Sequence, residues 1–199
     1  MKKKGKIAAA AVSTALIVCI IAAVLLGAVL SSELLEQIEK KSFPLTYSEY
    51  VSKYAEEYGV DEYLIYAVIK TESGFNPDAV SNVQARGLMQ ITEETFAWIK
   101  LMIEPYDETT FDAMFDPETN IKYGVYYISR CIGRYGDIET AIAAYHSGWG
   151  TVDSLLLDEK YSNDGACLHT FPYRQMNNYV YKVTGSYEKY KAIYIQQNA

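Results

Sequence analysis

Glu72-Ser73-Gly74-Phe75-Asn76-Pro77 is followed by Ala79, Ser81 and then Ala85-Arg86-Gly87-Leu88-Met89-Gln90. Before it runs Asp61-Glu62-Tyr63-Leu64-Ile65-Tyr66-Ala67-Val68-Ile69-Lys70-Thr71. Asp61 is a good N-cap, and Leu64, Ile65, Val68 and Ile69 recur on one helical face. Gly74 suits a left-handed helix end, and Pro77 prevents resumption of the helix. Glu72 therefore falls in the last turn, where the negative end of the helix dipole disfavours a carboxylate. Apolar neighbours add to that effect, so a raised pKa is expected, as a general acid requires. The plainer reading, an exposed Glu at a fraying helix end, does not account for the ordered glycines, Pro and Gln that follow. Residues 74–90 show little periodicity and fit a cleft wall better than a core element.

Outward from this centre the helical pattern is regular. Tyr47, Tyr50, Val51, Tyr54, Ala55 and Tyr58 repeat at helical spacing before Gly59, and packing is the role expected of these tyrosines. Thr92 can cap a helix through Phe96, Ile99 and Ile103, ended by Pro105, with a loop to Phe115. Asp116-Pro117 is a cap with proline at the first helical position, and Ile121, Val125, Ile128 and Ile132 give the buried side. Asp137 caps a helix ending at His146-Ser147-Gly148-Trp149-Gly150. A loop spans Tyr161 to His169. The last helix carries Val180, Val183, Tyr187, Tyr190 and Tyr194, with a break expected at Gly185. There is no β-rich region, so the expected class is all-α.

The central stretch resembles the catalytic segment of the lytic transglycosylases, lysozyme-like enzymes that cleave peptidoglycan. In that family a helix ends in Glu-Ser, followed by Phe-x-Pro-x-Ala-x-Ser and Gly-Leu-Met-Gln. All of these occur here in order, although Ala85-Arg86 stands where the family usually has a small residue and Gly. Asn120-Ile121 with Gly124 resembles the family's Asn-Ile-x-x-Gly helix, and Gly124 reads as a close helix contact. Ala144-Tyr145-His146-Ser147-Gly148 resembles Ala-Tyr-Asn-Ala-Gly, with His146 in place of Asn. Pro172-Tyr173 through Tyr179-Val180 resembles a late motif in which Gln175 replaces the usual Glu and Met176 the usual Thr.

The resemblance implies a mostly helical lysozyme-like domain of the α+β lysozyme kind. It also implies cleavage of the β-1,4 bond between N-acetylmuramic acid and N-acetylglucosamine. Glu72 would protonate the linking oxygen, then as carboxylate take the proton of the muramyl C6 hydroxyl, closing a 1,6-anhydro ring without water. Ser73, Gln90, Tyr145, His146, Gln175 and Tyr179 would line the cleft, with Tyr145 orienting Glu72 and the sugar. A lysozyme-type hydrolase with the same acid and a water nucleophile is one alternative. A membrane-tethered glycan-binding protein without catalysis is another, motivated by His146 and Gln175.

Ile7 to Leu30 carries no charge, and at about 1.5 Å per residue it can span the roughly 30 Å hydrocarbon core. Lys2, Lys3, Lys4 and Lys6 precede it, which places the N-terminus in the cytoplasm and the domain outside a single-pass membrane anchor. A cleaved signal peptide is the competing reading, with Gly27 to Ser32 as a mediocre cleavage site. Cys19, preceded by Val18, does not read as a lipoprotein cysteine. The resulting organisation is a basic tail (1–6), an anchor (7–30), a stalk (31–44) and a catalytic domain (45–199).

The formal net charge is −7, and the excess of acid is larger still once the N-terminal lysines are set aside. Bulk electrostatics therefore disfavour nucleic acid as a partner and are compatible with an uncharged saccharide. Cys131 falls on an apolar helical side and Cys167 in a polar loop. A bridge between them has no positive support. His146 and His169 are the only histidines, no zinc-type spacing occurs, and neither a metal nor a cofactor is expected.

Overall fold

The structure, a computed structural model, describes residues 26–31 and 33–195. The chain divides into two compact units, Met1–Pro44 and Leu45–Ala199. In the first unit residues 26–31 and 33–42 are helical and are termed α1 here. Most of the expected anchor, from Ile7 onward, lies outside the described residues. Among the described residues no helix is long and apolar enough to cross a membrane.

The second unit is built of helices. They are α2 (Ser48–Tyr58), α3 (Glu62–Glu72), α4 (Glu93–Ile103), α5 (Pro117–Tyr135), α6 (Ile138–Ser147), α7 (Trp149–Leu156) and α8 (Arg174–Tyr194). Four caps read from the sequence are formed. The side chains of Asp61, Thr92, Asp116 and Asp137 accept from the backbone N–H of Tyr63, Thr95, Thr119 and Thr140. Each such cap contributes about 1 kcal/mol by satisfying an orphan donor of the first turn. Gly59 closes α2 at φ 67°, a left-handed conformation that costs a glycine little.

The core is centred on α3. One buried face was expected, but Leu64 through Ile69 are buried without interruption, including Tyr66 and Ala67. A helix that is apolar all round has to be covered all round. Here α8 supplies the largest cover and α2 a second, while α6 packs on α5 and α8. Each fully buried Leu, Ile or Val contributes roughly 1.5–3 kcal/mol, so this one helix carries much of the apolar driving force.

Two expectations are corrected, and one helix appears that the sequence did not announce. Residues 105–115 are not loop throughout, because Phe111–Phe115 form a short 3-10 helix with Met114 buried. The unannounced helix follows α6 directly. Gly148 alone, at φ 80° and ψ 152°, redirects the chain, and α7 begins at Trp149. No break occurs at Gly185, since α8 runs uninterrupted from Arg174 to Tyr194. Burial of Met176, Tyr179, Val180, Val183, Tyr190 and Ile193 against the core outweighs the roughly 1 kcal/mol that a mid-helix glycine costs. A Cβ at Gly185 would meet nothing within 4 Å. Gly185→Ala is therefore expected to stabilise the protein by about 0.5–1 kcal/mol, read as a higher urea midpoint with unchanged slope. A lower midpoint would count against this account of the helix.

Between α3 and α4 the chain crosses the molecule with almost no regular structure. Its strand-like features are two isolated antiparallel bridges, Val80 with Arg86 and Arg86 with Ile91. Asn120 of α5 anchors the crossing from below and is wholly buried. Its Oδ1 accepts from Met89 N–H at 2.7 Å, and its Nδ2 donates to Arg86 C=O at 2.9 Å and Met114 C=O at 2.8 Å. Gly87, at φ 76°, leaves no room for a side chain: a Cβ there would stand 2.1 Å from Met114 O. Gly124 is likewise a close contact, though with the crossing and not with another helix. Its missing Cβ would lie 2.3 Å from the Met89 sulfur.

Candidate active site

Glu72 is the last residue of α3, where helical hydrogen bonding gives way to the crossing. Glu72 is half-buried, and the pKa of its carboxyl is pushed up from 4.5 to about 7. Loss of water is the cause, since burial disfavours the charged form. One contact opposes the rise: the Tyr179 hydroxyl donates to Glu72 Oε1 at 2.6 Å. No positive charge contributes. The acid is thus held near neutrality by a balance of desolvation against one short hydrogen bond.

Two concavities meet at Glu72. The first, about 220 Å³, is lined by Glu72, Gln90, Tyr145 and His146, together with Ser81 and Thr95. The second, about 440 Å³, is lined by Thr71, Gln175, Asn178 and Lys182, and also by Tyr179. Glu72 and His146 line both, so the two form one cleft with the acid at its junction. Among the described residues, Glu72 is the only carboxylate in either lining. Asp78 is exposed on the crossing and lines neither.

The other residues singled out from the sequence occupy different positions relative to this cleft. Ser73 lies in neither lining. Its hydroxyl stands 2.8 Å from Leu88 C=O and ties the end of α3 to the Gly87–Gln90 turn. Gln90 lines the first concavity in a left-handed conformation, φ 51°. Its Nε2 donates to Gly87 C=O at 2.9 Å and to Ala79 C=O at 3.1 Å, which braces the turn on which it sits.

Tyr145 lines the first concavity, but its hydroxyl donates to Met89 C=O at 2.7 Å and not to Glu72. The tyrosine hydroxyl that reaches Glu72 is that of Tyr179, from α8. His146 lies flat on Tyr179, ring centroids 4.3 Å apart and planes at 14°. Partial loss of water pushes its pKa below the usual 6.5, which favours the neutral imidazole. Gln175 is exposed and faces the second concavity beside Asn178 and Lys182.

Two contributors were missed in the sequence. Tyr127 of α5 lines the first concavity and packs on Tyr145 at 5.2 Å. It sits between the buried Val125 and Ile128, so the helical pattern alone points to packing. Asn120 was seen only as part of a motif. An Asn at an otherwise apolar position just inside a capped helix is the signal that could have marked it. Arg86, which departs from the family pattern, turns away from the cleft. Its guanidinium lies over Phe111 at 4.1 Å and pairs with Asp112 at 2.7 Å. Among the described residues, no group of three or more His, Cys, Asp or Glu could hold a metal ion. Cys131 and Cys167 are free thiols.

Comparison with known proteins agrees with this architecture. The chain is similar to the 70 kDa soluble lytic transglycosylase of Escherichia coli, with TM-score 0.68 and 25% identity over 77% of this chain and 25% of that one. It is 32% identical over 168 residues to the membrane-bound lytic murein transglycosylase C of Edwardsiella ictaluri, covering 74% of this chain and 47% of the relative. The protein of the same name from Serratia proteamaculans is 38% identical over 115 residues, 53% of this chain and 32% of the relative. The chain thus spans less than half the length of these curated relatives. The mostly helical, lysozyme-like fold expected from the sequence is the fold observed. Residues 49–165 match the family described as the transglycosylase SLT domain. The chain belongs to the transglycosylase SLT domain family.

Proposed function

We propose that this chain is a peptidoglycan lytic transglycosylase. The observation that carries the reading is a lone, half-buried carboxyl, its pKa raised to about 7, at the junction of a two-sided cleft. Glycosidases that activate water commonly use two carboxylates flanking the bond. With one acid in the lining, the substrate itself is the natural source of the nucleophile. Neutral Glu72 donates its proton to the oxygen between N-acetylmuramic acid and N-acetylglucosamine. The C1–O bond breaks and positive charge develops on the muramyl ring. The Glu72 carboxylate then accepts the C6 hydroxyl proton while that oxygen bonds to C1, giving a 1,6-anhydromuramyl end. Atoms balance without water, and Glu72 ends protonated for the next turnover.

Tyr179 suits the second half of this cycle. A hydrogen bond to the carboxylate stabilises the charged form, so Tyr179 keeps the conjugate base accessible after the first proton transfer. Tyr179→Phe is expected to raise the Glu72 pKa further and to lower kcat by about 10–100-fold, consistent with loss of one positioned catalytic hydrogen bond. A pH–rate profile should show the alkaline limb, near pH 7 in the wild type, displaced upward. An unmoved limb would remove Tyr179 from this role.

Mass spectrometry of peptidoglycan digested by the protein tests the reaction directly. Anhydromuramyl ends are expected; reducing muramic ends, heavier by one water, would make the chain a hydrolase. The partners of this reading are glycan strands and the membrane, with no role for nucleic acid or a cofactor. The relatives' names speak of membrane-bound enzymes. The apolar Ile7–Leu30 run is the proposed single-pass anchor, carrying residues 45–199 outside the cell membrane on the 31–44 stalk. Sequencing of the mature N-terminus checks this: a start near Ser31 would show a cleaved leader instead.

A further inference from the structure

The cleft does not end with the two concavities that meet at Glu72. A third, of about 390 Å³, lies between α4 and the start of α7, and its lining includes Trp98, Trp149 and Glu94. It shares Thr95 and Tyr127 with the Glu72 concavity, so the groove continues from the acid onto this aromatic wall.

The wall is built and held. Trp98 and Trp149 meet edge to face, centroids 5.2 Å apart at 77°. Tyr127 lies parallel to Trp149 at 6.2 Å. The Trp149 indole N–H is directed at the buried Cys131 sulfur at 3.2 Å, and Arg134 lies 5.3 Å from the ring centre. These contacts fix Trp149 as α7 begins. Both indoles nevertheless remain part-exposed. Aromatic rings needed only for the core would be covered, because each uncovered ring forfeits apolar burial.

The lining also selects a chemistry. It contains no cation, and its one charged group is Glu94, a carboxylate with no ion pair or hydrogen bond among the described residues. An anionic ligand is disfavoured there. A neutral pyranose is suited, because its C–H face packs on an indole while its ring hydroxyls donate to a carboxylate. The volume falls within the usual range for small-molecule sites.

We propose that the Trp98–Trp149 concavity is a saccharide subsite that holds an N-acetylglucosamine ring of the strand, away from the bond cleaved at Glu72. The proposal rests on the glycan-strand reading above and adds to it a preference for long strands. It follows that grip on the strand, and not only chemistry at Glu72, is built into the α4–α7 wall.

The test uses the full chain carrying Glu72→Gln and two probes, the tri- and hexasaccharide of β-1,4-linked N-acetylglucosamine. The protein contains only two tryptophans, and both line this concavity, so tryptophan emission, excited at wavelengths that tyrosine does not absorb, reports on it. Hexasaccharide binding is expected to shift that emission. Trp98→Leu is expected to weaken hexasaccharide binding about ten-fold by calorimetry, while trisaccharide binding changes less than about two-fold. Glu94→Ala, at an exposed position in the first turn of α4, is expected to weaken hexasaccharide binding about three-fold without lowering the melting temperature. Equal losses for both probes, or hexasaccharide binding that leaves the emission unmoved, would overturn the subsite while the cleavage reaction stands. Failure of the wild-type chain both to bind either probe and to cleave peptidoglycan would overturn the glycan reading, and the subsite with it.

Discussion

Glu72→Gln is expected to lower formation of anhydromuramyl products by about 10³-fold or more, in a domain that folds and at alkaline pH is more stable than the wild type. Gln keeps the shape of Glu and still accepts from the Tyr179 hydroxyl, so the packing at the end of α3 persists. What is lost is a proton that can be given and retaken, and general acid–base terms of this kind are worth about 10²–10⁴ each. The stability effect follows from linkage. The folded pKa of about 7 lies above the ordinary 4.5, so the folded state binds the proton more tightly than the unfolded chain. The stability Glu72 contributes is complete below about pH 4.5 and is lost as the pH rises to 7. Above that window the buried carboxylate costs up to about 3 kcal/mol, which Gln avoids. Urea titrations of both proteins at pH 5 and pH 8 should therefore show a gap that opens with pH. A gap of constant size would mean that Glu72 does not titrate in this range.

A second large effect is expected far from any titratable group. Asn120→Ala leaves Met89 N–H and the Arg86 and Met114 carbonyls without their partner, in a place closed to solvent. Each unpaired buried polar group costs about 1–3 kcal/mol, so a loss of about 3 kcal/mol or more is expected. In a domain of this size that is a drop of roughly 10 °C in Tm. Catalysis should fall as well, because the Met89 carbonyl is the acceptor that fixes the Tyr145 hydroxyl. Calorimetric melting together with the turnover rate measures both. A destabilisation under about 1 kcal/mol would show that the crossing is held by something else.

The parts of this molecule that were legible in the sequence are those governed by local rules. Asp61, Thr92, Asp116 and Asp137 announce helix starts because the cap and the N–H that it satisfies lie two or three residues apart. Glu72 stood out for the same reason, its helix-end position being written in Gly74 and Pro77. The cause of its shift was only half visible: helix polarity and burial were both expected, and burial dominates.

The features that escaped depend on what packs against what. Tyr179 reaches Glu72 across 107 residues, a pairing no local pattern encodes. Tyr145 braces the carbonyl of Met89, whose N–H is held by Asn120, a pairing that joins three separate elements. The continuity of α8 through Gly185 is a tertiary effect overriding a local preference. α7 was hidden because Gly-Trp-Gly reads as a stop, whereas a single residue, Gly148, makes the turn.

The origin of Tyr179 also bears on how the protein is made and dissected. The family match ends at residue 165, yet the helix that donates to the acid begins at Arg174. The segment that defines kinship is therefore shorter than the segment that sets proton affinity. During synthesis, α3 and its glutamate leave the ribosome long before α8 does. Until α8 docks, the acid lacks its hydrogen-bond donor and α3 lacks its main cover. A nascent chain at that stage lacks both the Tyr179 wall of the second concavity and the hydrogen bond that tempers Glu72, so the order of synthesis delays the finished acid until α8 has emerged.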